Sequence, residues 1–250
     1  MKITILTLFP AMIEGFINES IIKRAQEKGA VEIEIVNFRD FTTDAHKTVD
    51  QSPYGGGAGM VLMVEPIVKA LRSLKLEGNK KIALTSAKGD VYNQAKALEY
   101  STLDHIVIIA GHYEGFDERI SDYIDEEISL GDFVMTGGEI TAVAVLDSVV
   151  RLLPGVLKKE GATEQESFYK VPLEDLIKAV GVDETLKRLK EAGKTEVQLV
   201  EYPHYTRPEI FEDKKIPDIL LSGHHKEIEK WRLQQSYSET IKRRPDLLDK

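Results

Sequence analysis

Hydrophobic positions in the first 150 residues alternate between two rhythms. Short apolar runs, ITILTLF at 3–9, VEIEIVNF at 31–38, KIALTS at 81–86 and HIVIIAG at 105–111, are separated by stretches in which apolar residues recur every three or four positions. The runs predict strands, and the stretches between them predict helices over 10–29, 65–74 and 93–99. Pro10 and Gly29 stand where the first helix should start and stop. The near-continuous apolar strands need cover on both faces, so the rhythm predicts an α/β fold with a parallel sheet between helices.

From GEITAVAVLDSVVRLLPG onward the pattern changes. Residues 140–153 form a helix with apolar side chains around nearly its whole circumference, which predicts deep burial, and Pro154-Gly155 ends it. Residues 156–172 are polar and irregular, as in an exposed linker. The rest reads as mostly helical, with helices over 173–179, 183–192 and 225–241, Asp183 as an N-cap and Gly193 as a stop. The expected division is therefore 1–155, a linker at 156–200 holding a helical insertion, and a small helical domain at 201–250. Trp231 is expected in the core of that last domain.

Composition narrows the field. The 250 residues can bury a sizeable core, and the absence of cysteine excludes disulfides, thiolate metal sites and cysteine nucleophiles. The amino-terminal apolar run reads as a first strand rather than a targeting segment, and cytoplasmic residence is expected. A net charge of −9 argues against indiscriminate coating of nucleic acid. Residues 202–250 nevertheless carry 10 Lys and Arg against 9 Asp and Glu, with three of the six histidines, so a local basic surface for RNA stays open beside a merely solvated helical tail.

Candidate chemistry sits in loops. AGHYEGFDER at 110–119 and ISLGDFVMTGGEITA at 128–142 follow predicted strands, where open α/β sheets bind ligands. The turn after the first strand, LFPAM, has no glycine, which argues against a standard dinucleotide site. Turn-forming alone also accounts for any single glycine loop. The acidic run Asp117, Glu118, Asp122, Asp125, Glu126 and Glu127 matches no metal-binding spacing and reads as a solvated face. Glu114, directly after an apolar strand, is suited to a cationic ligand. Arg151 ends the buried helix, where either a substrate oxygen gaining charge or the helix dipole would suit a guanidinium. In the linker, Glu164 and Glu166 are candidate bases. EYPHYTRPEIF and SGHHKEIEKWRLQQS interleave aromatic and basic residues, as stacking on unpaired bases requires.

Taken in order, LFP, RDFTTDAHKTVDQSPYGGGAGMV, AGHYEGFDERI, EISLGDFVMTGGE, DSVVRLLPGVL, YPHYTRPE, LLSGHHKEI and WRLQQS resemble the bacterial tRNA (guanine-N1)-methyltransferases of the SPOUT superfamily along nearly the whole chain. The resemblance implies a parallel sheet with a deep trefoil knot, a linker and a small helical domain. It also implies a homodimer with each site built from both subunits, and methyl transfer from S-adenosylmethionine to N1 of guanosine 37 in tRNA where guanosine 36 precedes it. A supporting Mg²⁺ is implied as well, without a dedicated metal cage. Cofactor-binding residues carried over by position are Leu84, Thr85, Ser86, Ala87 and Gly89; Gly111, Tyr113, Glu114 and Gly115; and Leu130, Gly131, Asp132, Phe133, Val134, Met135, Gly137 and Gly138. Arg151 would stabilise charge on guanine O6. Glu166 would be the general base where the family usually has aspartate, with Glu201 or Glu164 as fallbacks. RNA contacts would come from His46, Asp50, Gly55, Gly56 and Gly57, and from His204, Arg207, His225 and Arg232. A SPOUT enzyme for another RNA site, or a non-catalytic RNA-binding module, remains as the alternative.

Overall fold

The computed structural model describes residues 1–158 and 166–249, and the chain divides into two compact units, Met1–Lys158 and Lys159–Lys250. Unit one runs β1 (Lys2–Thr7), α1 (Ala11–Ile17), α2 (Ser20–Glu27), β2 (Glu32–Asn37), β3 (Asp50–Gln51), β4 (Val61–Leu62), α3 (Val64–Ser73), β5 (Lys80–Val91), α4 (Gln94–Ser101), β6 (His105–Ile109), β7 (Glu126–Ser129) and α5 (Glu139–Val150). Five strands form one sheet in the order β2-β1-β6-β5-β7, and every neighbouring pair is parallel.

The apolar strands explain the layering. Successive side chains of a strand point to opposite faces. Ile3, Ile5, Ile106 and Ile108 join a core with α1, α2 and α5, while Leu6, Leu84, Val107 and Ile109 join a second core with α3 on the other face. The parallel α/β sheet expected from the sequence is present.

Three local expectations need correction. The helix predicted over 10–29 is two helices. Asn18 caps the first by donating from Nδ2 to the Glu14 carbonyl at 2.8 Å, and Ser20, with φ +50, opens the second, which ends at Glu27. The strand predicted to end at residue 86 continues to Val91. Its register against β7 breaks between Thr85 and Asp90, so residues 86–89 are an irregularity inside a strand rather than a loop after one. α5 is buried along most of its length, but Ile140 on its first turn is 60% exposed.

Unit two contains β8 (Tyr169–Pro172), α6 (Leu173–Val180), α7 (Glu184–Glu191), β9 (Glu196–Leu199), β10 (Ile210–Phe211), β11 (Lys214–Lys215) and α8 (His225–Arg243). Strands β8 and β9 pair antiparallel, so the region is less purely helical than expected. Asp183 does cap α7, accepting from the Leu186 amide at 2.8 Å, and it also accepts from the Tyr237 hydroxyl. Val171, Leu176, Leu186, Leu189, Val197 and Leu199 share one core with Tyr237 and Leu248. The helical insertion expected within 156–200 is thus packed with the last helix in a single unit. Trp231 is only half-buried and stands outside that core, with its ring 6.5 Å from Tyr205.

Candidate active site

Of three neighbouring strands, β6 and β7 deliver the segments after their carboxyl ends, and β5 its irregular stretch, to one cavity of about 320 Å³. From β5 come Leu84, Thr85, Ser86, Ala87 and Lys88. The segment after β6 supplies Gly111 to Phe116 in sequence, and that after β7 supplies Leu130, Gly131, Phe133, Val134, Met135, Thr136, Gly137 and Gly138. Of the residues carried over for the cofactor, Gly89 and Asp132 alone do not line it. Gly89 instead lies against β7, where an added Cβ would stand 2.5 Å from the Glu127 carbonyl carbon. Asp132 is exposed.

Glycine is needed here for close approach. A Cβ on Gly138 would come within 1.9 Å of Thr85 Oγ1 and 2.8 Å of the Gly111 nitrogen. That closeness lets the Gly138 amide donate to the Gly111 carbonyl at 2.7 Å and ties two pocket segments together. His112 and Gly137 form a further bridge between them. Tyr113 takes φ +60, a left-handed conformation uncommon for a side chain of its size and characteristic of sites where packing over-determines the backbone.

The glycine-rich loop at 55–59 joins this site from outside the sheet. Gly55, Gly56, Gly57 and Gly59 all have positive φ, and Gly59 lies so close beneath the Glu114 side chain that a Cβ would be 2.3 Å from its Cγ. The Glu114 amide donates to the Met60 carbonyl at 3.0 Å, and the Leu62 amide donates to the Gly115 carbonyl at 2.9 Å. Around Gly55 and Gly56 there is open space. Asp50 pairs with Leu62 in the β3–β4 ribbon. His46 is exposed, and its amide donates to Asp44 Oδ1 at 2.9 Å in a turn that Asp44 also fixes through Thr48.

Ionisable side chains meet at the cavity in two pairs. Lys88 Nζ lies 3.1 Å from Glu118 Oε2, an ion pair between two pocket segments, and the Glu118 carboxylate raises the lysine above its usual pKa. Behind the cavity wall, Glu139 is 1% exposed and accepts from Thr7 Oγ1 at 2.8 Å. His112 Nδ1 lies 3.7 Å from Glu139 Oε2. The acidic run is structural where it is bonded. Asp117 accepts from the Arg119 guanidinium, Asp125 from the Ile82 amide, and Glu126 from Lys96. Among the described residues no group of three or more His, Asp and Glu side chains is placed to hold a metal.

Arg151 is not at the cavity. It caps the carboxyl end of α5, whose amino end abuts the pocket; twelve residues at ~1.5 Å each separate the two ends by about 18 Å. Glu166 belongs to unit two. Ser167 beside it accepts from the Glu201 amide at 3.2 Å, which joins the segments bearing Glu166 and the fallback Glu201. The other fallback, Glu164, lies outside the described residues. In the same unit, the Arg232 guanidinium lies 4.9 Å over the Tyr202 ring, the His204 ring is tilted 49° against Tyr202 with centroids at 4.7 Å, and His204 Nε2 is 3.3 Å from Glu201 Oε2. Arg207 lines a separate groove of about 390 Å³ with Tyr205, Phe211, Lys214 and Lys215. His225 is exposed at the start of α8.

A family model described as tRNA (guanine-1)-methyltransferase TrmD matches residues 1–250. The chain belongs to this family. It is 48% identical over 251 residues to a tRNA (guanine-N(1)-)-methyltransferase of Desulfitobacterium hafniense strain Y51, covering all of this chain and 85% of that one. Identity is again 48% to the enzyme of that name from Carboxydothermus hydrogenoformans, over 99% of this chain and 87% of the relative. For the relative so named from Ureaplasma urealyticum serovar 10 it is 49%, over 100% and 97%. Family membership makes the chain one of a group of enzymes that modify tRNA and implies S-adenosylmethionine as methyl donor. Among the described residues no helix is long and apolar enough to cross a membrane.

Lys88 and His112 fall inside the loops carried over for the cofactor, 84–89 and 111–115, whereas Phe116 and Glu118 at the cavity and Glu139 behind its wall were missed. Phe116, Glu118 and Glu139 stood inside quoted motifs, where glycine neighbours drew attention away from them.

Proposed function

We propose that this chain transfers a methyl group from S-adenosylmethionine to N1 of guanosine 37 in tRNA whose residue 36 is also guanosine, working as a homodimer in the cytoplasm with the knotted chain path of SPOUT enzymes. The observation that carries the reading is the convergence of segments from three neighbouring strands on one glycine-lined cavity, in a chain that matches the methyltransferase family end to end. The cavity fits the cofactor by size, since pockets for molecules of this class begin near 300 Å³. It also fits by lining, because glycines at 111, 137 and 138 bring backbone donors and acceptors against the ligand. Glu114, held over Gly59, offers its carboxylate to the cationic methionine end. S-adenosylmethionine supplies a methyl group activated by positive sulfur.

The chain's own residues prepare the acceptor. Guanine N1 carries a proton at neutral pH and is a poor nucleophile until that proton leaves. Glu166 is the base that takes it, and the resulting charge moves onto O6, where the Arg151 guanidinium meets it. Glutamate is one methylene longer than the family's usual aspartate, so the carboxylate is set back by that length. Arg151 lies at the far end of α5 from its own chain's pocket, which supports a site completed by a second copy. The exposed apolar side chains Met12 and Phe16 on α1 and Ile140 on α5, two helices that pack together, supply a surface for that copy. A supporting Mg²⁺ finds no ligand cluster among the described residues, and no step is assigned to it. The Tyr202–His204–Arg232 cluster and the groove around Arg207 are the RNA-facing surface of unit two, with His225 on α8 as Arg232 is. On unit one, His46, Asp50 and the open loop at Gly55, Gly56 and Gly57 take that role.

Labelled methyl transfer to two transcripts, one with guanosine and one with adenosine at position 37, tests the reading. Wild type should label only the first, and Glu166→Gln should lower the rate by 10²–10⁴, about the contribution of a general base. Cofactor binding without labelling of either transcript would replace the enzyme by a non-catalytic RNA-binding module.

A further inference from the structure

Two buried polar atoms face one another behind the cavity wall without a bond. Glu139 Oε2 and His112 Nδ1 are 3.7 Å apart, and neither has a hydrogen-bond partner. The rest of each side chain is held. Glu139 Oε1 accepts from Thr7 Oγ1, which is itself fully buried and accepts from the Phe9 amide at 2.9 Å. The His112 ring lies between Phe9, with centroids at 4.6 Å, and Tyr113, at 5.1 Å. A Cβ on Gly137 would stand 2.4 Å from Glu139 Oε2 and 2.5 Å from His112 Nδ1, so both atoms press on that glycine's backbone.

A carboxylate oxygen out of reach of water and without a donor is strongly unfavourable, and the nearest group able to donate is the imidazole. We propose that His112 and Glu139 are a positioning pair that closes when the cavity is filled: Nδ1–H of the imidazole donates to Oε2, shortening the gap by about 0.8 Å to ordinary hydrogen-bond length. His112 and Gly137 both line the cavity and bridge its second and third segments, so a ligand that sets the spacing of these segments sets the spacing of the pair. The closed bond fastens the segment at 111–115 to the start of α5 and, through Thr7, to β1. Neither residue touches the methyl being transferred. The inference rests on the cavity being the cofactor site.

Three proteins test it: wild type, His112→Phe, which keeps a ring against Phe9 and Tyr113 but has no donor, and His112→Asn, whose amide nitrogen stands near the place of Nδ1. Calorimetric titration with S-adenosylmethionine should show Kd raised about tenfold or more in His112→Phe and within about threefold of wild type in His112→Asn. At saturating cofactor, kcat should stay within about threefold in both, and the melting temperatures of the free proteins should agree. Unchanged affinity in His112→Phe overturns the pair, and so does an equal loss in both variants, which would assign the effect to ring packing. Failure of wild type itself to bind is a separate result, which removes the cofactor reading of the cavity and the pair with it.

Discussion

Gly138 is where a single methyl group should do the most damage. Its φ is −88°, so alanine is acceptable to the backbone, but the Cβ would meet Thr85 Oγ1 at 1.9 Å and the Gly111 nitrogen at 2.8 Å. Relief requires parting the two segments that the Gly138–Gly111 hydrogen bond joins. Gly138→Ala should therefore lower stability by about 1–3 kcal/mol and abolish cofactor binding, measured by thermal melting and titration. A variant that binds as wild type would show that the two segments part without disturbing the pocket. Gly56→Ala is the contrasting case, with φ +81 and nothing within 4 Å; it should cost about 1 kcal/mol through the backbone alone. Much of the candidate site was legible at this scale because the glycines at 111, 137 and 138, in loops after apolar strands, do mark close approach. Glu139 was not, since its partner Thr7 lies 132 residues away and no local pattern joins them. Gly89 misled for a related reason: its closeness is to a neighbouring strand, and sequence does not say which neighbour a glycine admits.

At the scale of elements, the buried strands and α5 were readable because their apolar runs are long, while the short strands β8 to β11 lacked a run to announce them. The break at Asn18 was hidden because α1 and α2 keep one apolar rhythm across it. The extension of β5 was hidden because AKGDV carries turn-forming residues in the middle of a paired strand. β6 carries a titration that tests its burial. His105 opens that strand at 3% exposure, and its Nε2 lies 2.8 Å from Thr4 Oγ1. Burial first, and then the Lys2 ammonium, pushes the imidazole below its ordinary value against the opposing pull of Glu34 and Glu32. The unfolded chain thus takes up the proton before the folded one as pH falls. The stability held by neutral His105 is complete above about 6.5 and declines below it toward the depressed folded value. Melting temperature should accordingly fall as pH drops below about 6.5, and His105→Gln, which keeps a partner for Thr4, should show a shallower fall. Identical acid limbs in the two proteins would mean that His105 does not sense the folded interior.

The whole molecule poses the question that one chain cannot answer alone. Unit boundaries were partly legible: polar residues after Gly155 marked the end of the sheet unit, but the amphipathic pattern at 171–196 gave no sign that its apolar side packs with Tyr237 and Leu248. The catalytic assignment depends on assembly, because Arg151 and the pocket occupy opposite ends of α5. If each site takes its pocket from one copy and its arginine from the other, two dead variants should complement. Gly138→Ala carries a spoiled pocket with an intact Arg151, and Arg151→Ala the reverse. A mixed dimer then contains one site with both parts intact and one with neither. Random pairing makes about half of all dimers mixed, so the mixture should recover about a quarter of wild-type activity, although each parent has almost none. Were arginine and pocket from the same chain to act together, every site in the mixed dimer would lack one part and the mixture would stay dead. The measurement is methyl transfer by co-expressed, differently tagged chains purified through both tags, which isolates the mixed dimer and raises the expected recovery to about half. Activity there, with none in either parent, assigns Arg151 to the partner's pocket; inactivity in a folded mixed dimer returns it to its own chain or removes it from the chemistry.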